Sequence, residues 1–137
     1  MADRNSRAIY RWSPEGSLID TIGGPGSGPG EFEHGPISLA IYDDSLLAAI
    51  DMQTGKLLLY YLKPNPAFDR TITFPSALAS VDWLSHDKLI VSAVPMPSSN
   101  GINIVHIKNE EEKNKLFRIT RSQASTIWIT ISKHKCK

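Results

Sequence analysis

Gly-Gly-Pro-Gly-Ser-Gly-Pro-Gly-Glu-Phe-Glu-His-Gly-Pro, residues 23–36, separates two apolar segments of the chain. Glycine and proline fill every position from 23 to 30 except Ser27, so this part lacks the side chains and N–H groups that helices and sheets need. The stretch is therefore predicted to be a turn-rich connector. Phe32 is its only large apolar residue, and we expect burial of Phe32 to anchor the connector, contributing roughly 1.5–3 kcal/mol.

The composition is typical of one soluble globular domain. Of 137 residues, 41% are apolar and 21% are charged. The net charge is +1 and the basic residues are scattered, so we expect no nucleic-acid partner. No apolar run approaches the ~18 residues of a membrane span, and no signal peptide precedes the first strand, so we expect no membrane partner and, by default, a cytoplasmic location. A single cysteine, Cys136, leaves no disulfide framework and fits a reducing compartment.

Short alternating apolar segments predict β-strands along the whole chain. Before the connector, residues 8–13 and 17–22 predict a β-hairpin. Two four-stranded units follow, with predicted strands at 37–42, 46–50, 57–62 and 70–74, and at 80–84, 88–94, 102–107 and 116–119. No helix-period segment of ten or more residues occurs, so the predicted fold class is all-β.

The second unit repeats the first. Residues 80–94 align with residues 38–50 at an offset of about 43 residues, a period typical of propeller arrays. We therefore predict a partial β-propeller, an open arc of four-stranded antiparallel blades. Its single domain, residues 1–137, divides into a half blade with the connector (8–35), two blades (36–75 and 78–119) and the start of a further blade (125–131). A self-contained β-sandwich stays open as an alternative.

The connector and the turn after the second strand of the first unit carry a resemblance to a known family. Gly-Ser-Gly-Pro-Gly-Glu-Phe at 26–32, followed by Pro36, resembles the NHL-type repeat of six-bladed β-propellers, which include the bacterial TolB-like group. In that family this segment joins the outer strand of one blade to the inner strand of the next. An Asp-x-x-Asn-x-Arg turn then links the second and third strands, and here Asp51, Thr54 and Lys56 stand at its three places.

The resemblance covers residues 8–62 and is weak over 78–131, where both motifs are missing. It implies a fold. Members include scaffolds, binding modules, carbohydrate-associated lipoproteins and a few lyases or hydrolases, so no activity follows from it. Five residues are assigned structural roles as turn and anchor positions: Gly28, Pro29, Gly30, Phe32 and Asp51.

No candidate catalytic, cofactor-binding or metal-binding set emerges from the sequence. The glycines of the connector do not fit G-x-G-x-x-G in any register, and no Gly-Lys-Ser/Thr follows, so a structural connector is favoured over a phosphate cradle. The four histidines, His34, His86, His106 and His134, form no metal-binding pair, and surface positions are favoured for them. Asp43, Asp44 and Asp51 sit at strand ends, where aspartate commonly bonds turn backbone.

Aromatic residues and one charged run complete the candidates. A stacking platform would require five residues to come together: Trp12, Trp83, Trp128, Tyr60 and Tyr61. All of them lie in alternating strands, so core or inter-blade packing is favoured. Residues 108–115 carry three successive glutamates between lysines and predict a solvated hairpin tip.

These observations favour a non-enzymatic β-propeller binding or scaffold module, a fragment of a larger six-bladed protein, with a protein, peptide or glycan ligand. The alternative is a fragment of a propeller lyase or hydrolase whose catalytic groups lie partly outside this chain. Fewer than three blades cannot close a ring of four to eight. Residues 8–13 and 125–131 are thus predicted to be bare edges, and we expect self-association or missing blades.

Overall fold

The computed structural model describes residues 1–94, 101–107, 116–121 and 126–130, the last two ranges as strand backbone only. Every regular element in these ranges is a β-strand, and the strands pair antiparallel in three sheets. The all-β prediction is confirmed. Within the same ranges there is no helix of the length and apolarity that a membrane crossing requires.

The first sheet contains β1 (Ala2–Asp3), β2 (Ala8–Trp12) and β3 (Leu18–Gly23) in that order. The predicted hairpin is β2 and β3, but β1 was not predicted because two residues show no alternation. β1 pairs Ala2 with Ile9, and the terminal amine of Met1 donates to Tyr10 O at 2.6 Å. The prediction that residues 8–13 form a bare edge is therefore wrong, since β2 lies between two partners.

The second sheet contains β4 (Pro36–Tyr42), β5 (Leu46–Asp51), β6 (Lys56–Tyr61) and β7 (Ala67–Thr73) in chain order. Asp43 and Asp44, with φ of 47° and 49°, form the tight turn between β4 and β5. β7 begins three residues earlier than predicted. A bulge opposite Leu59 and Tyr60 lets the strand absorb the Asp-Arg pair that interrupts its alternation.

The third sheet contains β8 (Leu78–Ser85), β9 (Lys88–Ala93), β10 (Ile102–His106), β11 (Leu116–Arg121) and β12 (Thr126–Thr130). The segment 125–131 was expected to begin a further blade. Instead β12 pairs with β11, with Thr126 opposite Thr120, and adds a fifth strand to this sheet. The predicted hairpin tip at 108–115 lies outside the described residues.

The core consists of two layers, one on each face of the second sheet. Successive residues of β5 alternate between them: Leu47 and Ala49 face the first sheet, whereas Ala48 and Ile50 face the third. β6 alternates in the same way, and all four residues of 57–60 are at most 4% exposed. Burial of both faces explains why these strands read as continuous apolar runs.

Neighbouring sheets keep the register of the sequence repeat. The Val81 N–H donates to Ser38 Oγ at 3.3 Å, and Trp83 Nε1 donates to Ala40 O at 3.0 Å, each bond joining residues 43 positions apart. A β-sandwich has one core between two sheets, whereas here the middle sheet has a core on each face. The three sheets are therefore blades, and the fold is an open arc of a β-propeller.

Candidate functional site

The connector is held by one buried carboxylate. Asp51, 0% exposed, accepts N–H groups from Glu33 at 2.8 Å, His34 at 3.1 Å and Gly35 at 3.0 Å. Lys56, at the end of the same turn, pairs with Glu33. Lys56 lowers the pKa of Glu33 by this hydrogen bond and by its charge. The side chains that flank the turn between β5 and β6 thus bind the segment that leads into β4.

Phe32 and Tyr60 hold the other end of the connector. Phe32 is 0% exposed and lies against Tyr60, with ring centroids 6.4 Å apart. The Tyr60 hydroxyl donates to Gly30 O at 2.9 Å. Burial, with a contribution from the charge of Asp51, raises the pKa of Tyr60. Gly30 needs its φ of 75°, and an added Cβ would come within 3.0 Å of Phe68 Cβ.

The glycines considered for a phosphate cradle already face a carboxylate of the chain. Glu31 accepts the N–H of Gly28 at 2.8 Å, and its Oε2 would lie 2.9 Å from a Cβ added at Gly28. The same carboxylate closes the space beside Gly26. The connector supplies its own anion, so it has no vacant anion site at these two glycines. Gly28 and Pro29 are exposed, and the structural roles assigned to the five turn and anchor residues stay predictions to be tested by mutation.

The other sequence candidates are dispersed. Asp43 and Asp44 lie at the start of β5 and Asp51 at its end, so they form no carboxylate pair. His34 and His86 are exposed, His106 is partly buried, and His134 lies outside the described residues. In the ranges that the structure describes, no three His, Cys, Asp or Glu residues are grouped to hold a metal ion.

The aromatic residues do not form one platform either. Trp12 is 49% exposed on the first sheet, and Tyr60 is buried on the face of β6 that the first sheet covers. The side chain of Trp128 lies outside the described part. Trp83 and Tyr61, however, both line a cavity of about 150 Å³ between the second and third sheets.

This cavity, here called the inter-blade cleft, lies where β6 ends and the turn between β8 and β9 begins. Its polar lining consists of Asp69 and Arg70 on β7 and of His86 and Asp87 on the β8–β9 turn. Its apolar lining includes Leu46, Leu59 and Ile107. A mostly apolar wall with a few convergent polar groups is the usual make-up of a ligand site.

A buried ion pair is the distinctive feature of the cleft. Arg70 Nε donates to Asp69 Oδ2 at 2.7 Å, and the two side chains are only 7% and 9% exposed. The bulge in β7 explains how neighbours in sequence line the same cavity, because it interrupts the alternation of the strand at this point. Among the described residues, no hydrogen bond involves either Nη of Arg70 or the Oδ1 of Asp69.

Asp69 and Arg70 both line the cleft, so a ligand in the cleft can reach their polar groups. Buried charges need partners for all their polar groups, so a ligand in the cleft would complete this set.

The fold agrees with a comparison to known proteins. Over residues 1–137 the chain matches the model of the DUF5128 family, described as a 6-bladed beta-propeller. The chain belongs to this family. No curated protein matches the chain at a significant level.

The sequence interpretation of this propeller missed Asp69 and Arg70. The available signal was two adjacent opposite charges inside a strand-like segment, which alternation alone cannot bury on one face. A bulge resolves that conflict, and bulges often re-aim side chains at functional sites. Trp83 and His86 were considered, but the cleft that they share depends on packing between blades, which no local pattern encodes.

Proposed function

We propose that this propeller is a non-enzymatic binding module and that its ligand occupies the inter-blade cleft. One observation carries the proposal: the ion pair of Asp69 and Arg70 is more than nine-tenths buried and lines a cavity, and within the described ranges its other polar atoms have no hydrogen bond. Such groups are costly to bury for stability alone, because apolar residues of similar volume are often as stable or more so. Their presence is what a recognition site requires.

A binding screen on the whole chain tests this proposal. We expect a peptide or glycan from a mixed panel to raise the midpoint of thermal unfolding, since a ligand at 100 times its Kd adds about 2.7 kcal/mol. The double variant Asp69→Asn/Arg70→Gln removes both charges without leaving one unpaired, and it should lose the response. The matched control is Arg11→Gln/Asp20→Asn, which removes the ion pair of the first sheet. Equal responses in the two variants would contradict the proposal.

The alternative, a lyase or hydrolase completed by groups outside this chain, stays a prediction. The described residues bring no nucleophile, base and orienting group together in the cleft, although the turn supplies His86 and Asp87. A panel of lyase and hydrolase substrates run beside the binding screen separates the two functions. Turnover without a stably bound ligand would favour the enzyme.

We also infer that, within its family, the propeller has the NHL-type arrangement. Support comes from the connector, which joins β3 at the edge of the first sheet to β4 at the edge of the second. Asp51 and Lys56 further support it, because they bind the connector from the turn between β5 and β6. An alignment of family members that lacked acidic residues at the position of Asp51 would contradict this assignment.

A further inference from the structure

We infer that the ligand of the inter-blade cleft is a neutral carbohydrate, bound through one sugar ring. The inference rests on the proposed function and adds the chemical class of the ligand.

The ion pair offers both kinds of hydrogen-bonding group side by side. Among the described residues, neither Nη of Arg70 has a hydrogen-bond acceptor and the Oδ1 of Asp69 has no donor. A hydroxyl group is donor and acceptor at once, so two neighbouring hydroxyls can accept from Arg70 while one donates to Asp69. The planar guanidinium fixes this geometry, because its donors form a rigid fork.

The charges of the cleft disfavour an anion. Asp69 offsets the charge of Arg70 at a distance of 2.7 Å. Asp87 adds a negative charge, and the hydroxyl of Ser85, which donates to Asp87 at 2.7 Å, lowers the pKa of that carboxyl. An anionic ligand would therefore meet a net negative lining, whereas a neutral polar ligand meets no repulsion.

The remaining wall suits the C–H surface of a sugar ring. Trp83 is held in place, because its Nε1 donates to Ala40 O at 3.0 Å and its ring lies 6.0 Å from that of Tyr42. Tyr61 and Ile107 extend this apolar surface. Aromatic side chains present large, rigid contact areas. At about 150 Å³ the cleft is smaller than the ~300–1,000 Å³ of common ligand pockets, which limits it to one ring.

Titration calorimetry and saturation-transfer NMR of the full chain test the inference. The probes are methyl glycosides of glucose, galactose, mannose and N-acetylglucosamine, with glucuronate as the anionic comparator and blocked neutral dipeptides as the peptide comparator. We expect at least one neutral glycoside to bind, and glucuronate to bind at least tenfold more weakly than that glycoside. Saturation should reach the ring protons of the bound sugar.

Variants locate the site. Asp69→Asn/Arg70→Gln and, separately, Trp83→Ala should each weaken sugar binding at least tenfold, whereas Arg11→Gln/Asp20→Asn should leave it unchanged. Circular dichroism identifies variants that fail to fold. Asp87→Asn gives a second test, because removal of that charge should narrow the difference in affinity between glucuronate and the neutral glycoside that binds.

Two outcomes overturn the carbohydrate inference but keep the proposed function. One is that only dipeptides bind, with loss in the Asp69→Asn/Arg70→Gln variant. The other is that glucuronate binds more tightly than the neutral glycosides at the same site. If none of the probes binds, or if binding is unchanged in both cleft variants, the inference and the proposed binding cleft fail together.

Discussion

The carboxylate of Asp51 accepts hydrogen bonds from three successive residues, Glu33 to Gly35, in a connector that has few side chains of its own. A hydrogen bond to a charged acceptor contributes about 1.5–3 kcal/mol to the free energy of unfolding. The carboxylate is also fully buried, so its removal leaves backbone donors without partners. The side chain of Asp51 therefore holds the end of the connector against the end of β5.

Substitution Asp51→Asn should destabilise the chain by about 2–4 kcal/mol, because the carboxamide turns a donor toward backbone N–H groups. Urea unfolding at neutral pH measures the loss. The control Asp44→Asn lies in the exposed turn with φ of 49°, a conformation that asparagine tolerates, and should change stability by less than about 0.5 kcal/mol. Similar midpoints for both variants would contradict the role of Asp51.

The two adjacent tyrosines at the end of β6 give a second residue-scale test. Tyr60→Phe removes the bond to Gly30 O and should cost about 1 kcal/mol at pH 7, whereas Tyr61→Phe, at a side chain 39% exposed, should cost little.

The contribution of Tyr60 to the free energy of unfolding should decrease at alkaline pH. Because the pKa of Tyr60 is raised in the folded state, its contribution is complete below the ordinary phenol pKa of about 10 and is lost as the pH rises above it, when the unfolded chain ionises first. Tyr60→Phe should therefore flatten the alkaline loss of stability measured by urea unfolding. An unchanged alkaline slope in Tyr60→Phe would contradict the assignment.

At the scale of elements, two glycines of the connector differ in the space around them. Gly30 has a φ of 75° and lies against Phe68, whereas a Cβ at Gly24 would meet nothing within 4 Å. The two positions look alike in sequence. Their difference arises from the bond between Tyr60 and Gly30, which draws the backbone at residue 30 onto the second sheet.

Gly30→Ala should therefore destabilise the chain by at least about 1 kcal/mol, and Gly24→Ala should be neutral or slightly stabilising through the unfolded state. Thermal unfolding of the two variants in parallel measures this. Should both alanines be tolerated equally, the tight packing of the connector on Phe68 would be wrong.

The strands were largely predictable, because alternation and turn residues are local signals. The connector, the two hairpin turns of the second sheet and the Lys63–Pro66 break all fall where glycine, proline and aspartate predict them. The position of β12 was also predicted, but it was assigned to a further blade, since the pairing of one strand with another is not encoded in local composition. The cleft was missed for a related reason: its residues come from β6, β7 and the β8–β9 turn, and only packing brings them together.

At the scale of the molecule, the first sheet keeps an uncovered apolar surface. Trp12 and Leu18 are cross-strand partners, each 49% exposed, and Ile19, at the register shift that follows Leu18, is 53% exposed. The other face of this sheet carries Ile9 and Ile22, which pack against the second sheet. Uncovered apolar surface of this kind favours association, as does the outer edge of β12.

We expect the chain to associate in a concentration-dependent way, measured by light scattering after gel filtration. Ile19→Lys should shift the equilibrium toward monomer, because it places a charge in the contact. Leu84→Lys, at a side chain that is also 53% exposed but lies on the third sheet, is the control. A monomer at all concentrations, with cooperative unfolding, would contradict the prediction.

The burial of both faces of the second sheet also affects how fast its backbone amides exchange hydrogen with water. Both faces of β5 and β6 are covered by packed side chains. An amide of these strands can therefore exchange its hydrogen only when the interface on one side of the sheet opens. Amides of β2, by contrast, belong to a sheet with one open face. Deuterium should therefore enter the first sheet before the second, and the slowest amides of Leu47 to Ile50 will report the free energy with which one blade separates from the next.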